Sequence, residues 1–300
     1  MDSFRCVGAF VIAAFILSIF GIEIRAEDAD AFDHEVETEH IFGFTEGSGI
    51  GQEGEKEFAF ETITRIGKRD GRYRASETKA QFEFTPNQYI ALEFGPFVSA
   101  HRIRDVSGLE NRSQFAFGGL FGEIKYMLLD RGPSSPLAIT LSAEPEWRRS
   151  DETSGMHVNN FALELKLNAD LELIKNRFYL GGNLLYEPEA THDPNHVGAG
   201  WERESRSGVS AAFSYRIAPA VFVGAELWYF RHYDGTWFNT YTGDALYVGP
   251  TVHVQLGPKV YMSAAWNTQV RGHDVDDPGA SLNLAEFSRH RGKLRLGFEF

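Results

Sequence analysis

Between Phe161 and Leu173 every second residue is apolar. Phe161, Leu163, Leu165, Leu167, Ala169 and Leu171 alternate with Glu164, Lys166, Asn168, Asp170 and Glu172. In a strand, successive side chains point to opposite faces, so this period of two gives one wholly apolar face and one that is polar from Glu164 onward. The same pattern, more or less clean, runs through Glu57–Ile66, Tyr73–Thr85, Gln88–Arg102, Ser113–Leu129, Leu137–Trp147, Phe178–Glu187, Trp201–Ile217, Ala220–Arg231, Ala245–Leu256, Lys259–Arg271 and Arg289–Phe300. Helical periodicity is almost absent. The chain is therefore read as all-β.

Two architectures satisfy such strands. A soluble sandwich turns its apolar faces inward, whereas a membrane barrel turns them to lipid and its charges to the lumen. Strand length and loop asymmetry separate the two. Most of these segments are ten residues or longer, against roughly five or six for globular strands and about nine to eleven for a tilted strand crossing a bilayer. Connections alternate between tight turns, such as Lys175-Asn176 and Gly257-Pro258, and long polar stretches, such as Arg104–Arg112, Arg148–Asn160, His232–Asp244 and Gly272–Ser288. Short turns on one side and long loops on the other are the asymmetry of outer-membrane barrels. The expected fold is a closed antiparallel transmembrane β-barrel over residues 57–300.

Strand parity sets the number. Counting back from Arg289–Phe300 with the C-terminus in the periplasm, the twelfth strand is Glu57–Ile66, which then leaves from the periplasmic side. Twelve strands is the expectation; fourteen would require splitting a further segment, for instance within Asp274–Asn283. His40–Thr45 is a short additional strand candidate, placed outside the wall or inside the lumen.

Ahead of the barrel, a basic residue at Arg5, an apolar run from Cys6 to Ile22 and a small residue at Ala26 describe a secretory signal peptide over residues 1–26. The alternative, one spanning helix, is at the short limit of length and lacks a basic stop-transfer flank. Residues 27–56 form a periplasmic or luminal N-terminal segment. Cys6 is the only cysteine, so the exported chain is expected to have no disulfides. A net charge of −13 argues against nucleic acid as a partner.

The chain ends RHRGKLRLGFEF, with Leu294, Leu296, Phe298 and Phe300 on one face. This ending resembles the C-terminal strand of Gram-negative outer-membrane barrels. The resemblance implies that these four residues form the signal read by the barrel assembly machinery, and that the protein sits among outer-membrane lipid and lipopolysaccharide. The stretch EHIFGFTEGSGIGQEGEKEF is similar to the start of outer-membrane barrels associated with aromatic degradation, which implies passive uptake of small compounds.

With lipid outside, the polar faces point inward. Glu61, Arg65, Glu77, Lys79, Glu83, Glu93, Glu144, Glu164, Lys166, Asp170, Glu202, Glu204, Arg206 and Glu226 are the expected lumen-lining residues, with Arg216, Arg271, Lys293 and Arg295 as further inward cations. Carboxylates exceed bases, so a water-filled lumen would mildly favour cations, with Glu164 and Asp170 contributing. Charges paired across a filled lumen are the alternative, since twelve strands lie between filled and open barrels.

Catalytic, metal and cofactor readings are weaker. No Gly-x-Ser-x-Gly elbow occurs, and His101 with Ser99 faces inward, away from where a lipid hydrolase would need them. Glu187–His196 places carboxylates near two histidines, but on a proline-broken loop that spacing fixes no common face. No catalytic residue, metal or cofactor is assigned. Trp147, Tyr186, Trp201, Tyr229, Trp237, Tyr241 and Trp266 near strand ends suit an interfacial aromatic girdle.

Overall fold

A computed structural model describes residues 36–300, apart from 133, 134, 196, 197 and 199. The expected signal peptide lies outside the described residues. The strands are β1 (Lys56–Ile66), β2 (Arg72–Asn87), β3 (Ile90–Arg104), β4 (Arg112–Leu129), β5 (Leu137–Ser150), β6 (His157–Ile174), β7 (Phe178–His192), β8 (Glu202–Ala218), β9 (Val221–Asp234), β10 (Thr240–Gly257), β11 (Val260–Asp274) and β12 (His290–Glu299). Each pairs with its chain neighbours, and β1 pairs antiparallel with β12, closing a twelve-stranded barrel.

The barrel is inside out relative to a soluble protein. Phe115 is 74% exposed and Phe94 56%, while Asp170 on an inward face is 1% exposed and Glu226 2%. Aliphatic and aromatic side chains cover the outer wall and ionisable ones fill the interior, which is the arrangement a lipid surround requires. Leu294, Leu296, Phe298 and Phe300 carry this outer face to the chain end. The backbone N–H of Phe300 still donates to the Lys56 carbonyl at 2.9 Å, so the last residue helps close the β1–β12 seam.

Several outer connections are shorter than the sequence suggests, because the strands continue into them. β5 runs to Ser150, β6 starts at His157 and β7 runs to His192. Arg148, read as loop, is therefore wall. The polar ends of these strands bond across the ladder at the outer rim, where lipid no longer forces an apolar outer face.

His40–Thr45 is not a strand. Residues 36–55 enter the lumen from the short-turn, periplasmic end, reach their apex near Phe44 and return to β1. Ile41, Phe42, Thr45, Ser48 and Ile50 are each no more than 3% exposed. The Gly47 N–H donates to the Glu39 carbonyl at 3.0 Å, tying the two legs of this re-entrant plug together. Gly43 has φ +93°, and a Cβ there would lie 2.7 Å from Thr251 Cγ2 and 2.8 Å from Ala265 Cβ. Only glycine suits both the left-handed backbone and that approach to the wall.

Candidate luminal site

The inward faces hold the plug through a few charged anchors. Asp170 on β6 accepts from Thr38 Oγ1 at 2.8 Å, the Ser48 N–H at 2.7 Å and Ser48 Oγ at 2.6 Å, so it gathers both legs; Arg131 pairs with its other oxygen. Glu226 on β9 accepts the N–H groups of Phe44 at 3.1 Å and Thr45 at 2.7 Å, and Asn267 Nδ2 at 3.0 Å. Here a carboxylate satisfies backbone donors that the plug, lacking regular structure, leaves without partners. Lys166 on β6 bridges Glu46 of the plug at 2.9 Å and Glu164 at 2.7 Å. Asn183 on β7 exchanges two hydrogen bonds with the Glu46 backbone, at 2.9 and 2.8 Å.

Register places Glu299, Glu57, Glu83, Glu93 and Glu123 directly opposite one another on β12, β1, β2, β3 and β4. Facing like charges destabilise a sheet, and two cations offset this. Arg295 reaches Glu57 at 2.8 Å, Glu93 at 3.5 Å and Glu61 at 3.6 Å. Lys125 reaches Glu83 at 2.8 Å, Glu123 at 3.6 Å and Glu39 of the plug. The carboxylate row thus binds the plug through a cation that sequence reading left unassigned. β4 carries a two-glycine irregularity at Gly118-Gly119 that breaks its alternation, yet Lys125 lies in the regular part and its parity was readable.

Between the plug and the wall is a cavity of about 120 Å³ with two unlike sides. Strands β2 to β6 contribute Lys79, Glu123, Glu144, Glu164 and Lys166; strands β7 to β12 contribute Leu185, Arg206, Trp228, Phe230 and Arg291. Phe44 forms part of its floor. Trp228 stacks on Phe230 with centroids 4.9 Å apart. It faces inward, unlike the tryptophans read as girdle. Tyr186, stacked with Trp237 at 6.1 Å, and Trp266, stacked with His290 at 5.7 Å, lie on the outer surface.

Two outer connections fold over the mouth. In residues 151–156, the Thr153 carbonyl accepts Tyr73 OH at 3.1 Å, and the Glu152 carbonyl meets His101 Nε2 at 3.1 Å. His101 is thus a loop anchor. The Glu152 carboxylate points inward and pairs with Arg65, with Arg206 at 3.9 Å. Burial alone would raise the Glu152 carboxyl, but the surrounding guanidiniums, led by Arg65 and Arg206, hold it well below the usual carboxylate range. In residues 275–289, Asn283 and Ser288 are buried, and the Ser288 carbonyl accepts Tyr247 OH. Lys68 Nζ donates to the Ala285 carbonyl at 2.6 Å, and burial lowers its ammonium to about 8.

Of the residues expected to line the lumen, Glu61, Glu77, Glu83, Glu93 and Glu226 are buried inside the barrel. Lys79 with Glu144, Glu77 with Arg148, and Arg206 with Glu187 form inward ion pairs. Glu202 is the exception: its inward-parity position lies at the extreme outer end of β8, and it is exposed. Arg271 also faces out, because an irregularity between Leu246 and Tyr247 shifts the β10–β11 register beside it. Glu189, Glu204 and His232 offer donor atoms within 4.8 Å of one another at the outer rim, on three strands that the sequence alone does not align. His196 lies outside the described residues.

The model of a family of unknown function, DUF6662, matches residues 34–300. Among solved structures, the COG4313 outer membrane channel from Pseudomonas putida F1 superposes with a TM-score of 0.56 at 12% identity, covering 89% of this chain and 100% of that one. The NanC porin gives 0.46 at 10%, covering 80% and 98%. The translocator domain of the autotransporter NalP from Neisseria meningitidis gives 0.47 at 12%, covering 98% and 97%. No curated protein matches the sequence. The first of these likenesses is one of fold, and it agrees with the lipid-facing wall: the chain is an outer-membrane β-barrel.

Proposed function

We propose that this chain, which belongs to the DUF6662 family, is a porin-like channel for small solutes whose lumen is closed by its own N-terminal segment. The observation that carries the reading is the cavity of about 120 Å³ held between the plug and the barrel wall, lined by charges of both signs. A barrel serving only as a scaffold has no need of polar groups at its centre, where each costs desolvation unless paired. The fold shared with the COG4313 outer membrane channel supports the same reading.

The preference is for cations and is modest. The row Glu299–Glu57–Glu83–Glu93–Glu123 outnumbers its two counter-cations, and fixed charge in a narrow passage is screened less than at an open surface. Small solutes pass from the outer face; lipid and lipopolysaccharide surround the wall, and the barrel assembly machinery inserts it. The test is single-channel recording in planar bilayers under a salt gradient. Discrete openings with a cation-favouring reversal potential are expected, and anion preference overturns the selectivity.

The anchors at Asp170, Glu226, Lys125 and Lys166 favour a second reading, a surface barrel with a permanently filled lumen. Complete silence in the bilayer, from protein shown to be folded and inserted, selects it over the channel.

A further inference from the structure

Arg65 on β1 and Arg291 on β12 are direct cross-strand partners on the inward face. Two guanidiniums so placed repel one another, and Arg206 comes towards them from β8 across the aromatic side of the lumen. Each has a different fate. Arg206 pairs with Glu187 at 2.5 Å. Arg65 pairs with Glu152. Arg291 makes no ion pair or hydrogen bond among the described residues; its guanidinium carbon lies over the rings of Phe44, Phe230 and Tyr247, at 4.5, 5.0 and 5.6 Å. It is the surplus cation of the group, and it borders the cavity.

Glu152 differs from the carboxylates of the wall in being carried by an outer loop. Residues 151–156 lean in from the rim, held by Tyr73 OH on the Thr153 carbonyl and by His101 on the Glu152 carbonyl. The wall supplies Glu187 to Arg206, but the negative charge that meets Arg65 comes from this outer connection.

We infer that Arg65, Arg206 and Arg291 form a binding site for the carboxylate of a small amphipathic anion, and that Glu152 occupies this site as a tethered substitute for the solute. Guanidiniums present planar paired donors that match a carboxylate. The adjoining wall of Phe44, Ile63, Leu185, Trp228 and Phe230 offers an apolar surface to the solute's body. A solute arriving from the outer face displaces the Glu152 carboxylate, takes Arg65 from it, lies beside Arg206, which keeps Glu187, and gains the previously unmatched Arg291. The loop is then released from the lumen. A net acidic passage and a local anion site are compatible, because the arginines lie near the outer ends of β1, β8 and β12 whereas the carboxylate row lies near the periplasmic ends of β12 and β1 to β4.

The test is calorimetric titration of the full-length protein in detergent with benzoate, and with benzyl alcohol as the uncharged control. Glu152→Gln removes the competing charge at constant shape, and benzoate affinity is expected to rise at least about tenfold over wild type, the scale of one charge-assisted contact. Adding Arg291→Gln to that variant should abolish the gain, and benzyl alcohol should bind all forms alike. If Glu152→Gln does not fold, as judged by its heat-dependent gel shift, Tyr73→Phe serves instead: it removes one loop anchor and should raise benzoate affinity in the same direction. Equal benzoate affinity in wild type and the loop variants, or a gain that survives Arg291→Gln, overturns the site. The site rests on the channel reading only for solute access. Benzoate binding without conductance overturns the channel and leaves the site; conductance without benzoate binding does the reverse.

Discussion

Phe44 of the plug lies beneath Arg291 of the last strand, with the guanidinium carbon 4.5 Å from the ring centroid. The apex of the N-terminal segment and the C-terminal strand thus meet inside the lumen, although they are separated by nearly the whole chain. A cation over an aromatic face is attracted to it, more strongly where water is excluded. This contact forms only once β12 has paired with β1, so seating of the plug and closure of the barrel are coupled.

Glu226 holds the apex from the other side. Glu226→Ala removes the acceptor of the Phe44 and Thr45 N–H groups and should cost about 1–3 kcal/mol of plug seating. The expected outcome is a larger fraction of time open in planar bilayers, with the unitary conductance unchanged. Open times equal to wild type would show that the plug is not the gate.

Asp170 was expected to tune selectivity together with Glu164, but its oxygens are spent on Thr38, Ser48 and Arg131. Asp170→Asn should therefore act mainly on plug residence, seen as faster protease cleavage within residues 36–50. Glu164→Gln should leave cleavage unchanged, because Lys166 keeps Glu46. Matching cleavage rates for the two variants would return Asp170 to the role of a simple wall charge.

Lys125 is 3% exposed and stands among Glu39, Glu83 and Glu123. Lys125→Met leaves these carboxylates buried beside one another, a loss of about 3–5 kcal/mol on the scale of broken buried pairs. The temperature at which the folded band converts on gels should fall, and Lys125→Arg should restore most of it. An unchanged conversion temperature for the methionine variant would mean the carboxylates are relieved in some other way.

Glu152 sets an acid response. Its folded-state carboxyl is held below the unfolded value, so its contribution to loop closure is complete above the unfolded value, near pH 4.5, and is lost only as pH falls through the lower folded value. The difference in open probability between wild type and Glu152→Gln should therefore be the same at pH 7 and at about pH 5. Convergence of the two already at pH 5 would show that the guanidiniums of Arg65, Arg148, Arg206 and Arg291 do not hold it ionised.

Phe300 tests the assembly reading. Phe300→Asp should reduce surface levels severalfold while the periplasmic precursor accumulates. The residue continues the outer apolar face of Leu294, Leu296 and Phe298, beside the β1–β12 seam. Surface amounts equal to wild type would remove the terminal strand as the recognition signal.

The sequence by itself determined the wall. Alternation at Phe161–Leu173 and its counterparts fixes which side chains face lipid, because a strand's two faces are set locally by backbone geometry. Strand parity then fixes twelve, with β1 beside β12. Inward placement of Glu61, Glu93 or Glu226 follows from the same rule, and Lys125 and Arg148 were reachable by carrying the alternation further along β4 and β5. The tertiary structure decided what the inward charges do. The plug has no period, since its backbone donors are met by Glu226 and Asp170 more than a hundred positions away. The carboxylate row and the Arg65–Arg291 pair are products of cross-strand register, which depends on bulges and on closure and cannot be read from one strand. Exposed Glu202 and outward Arg271 show the same limit: alternation assigns a face, but the height of the wall and the shifts within it assign the surroundings.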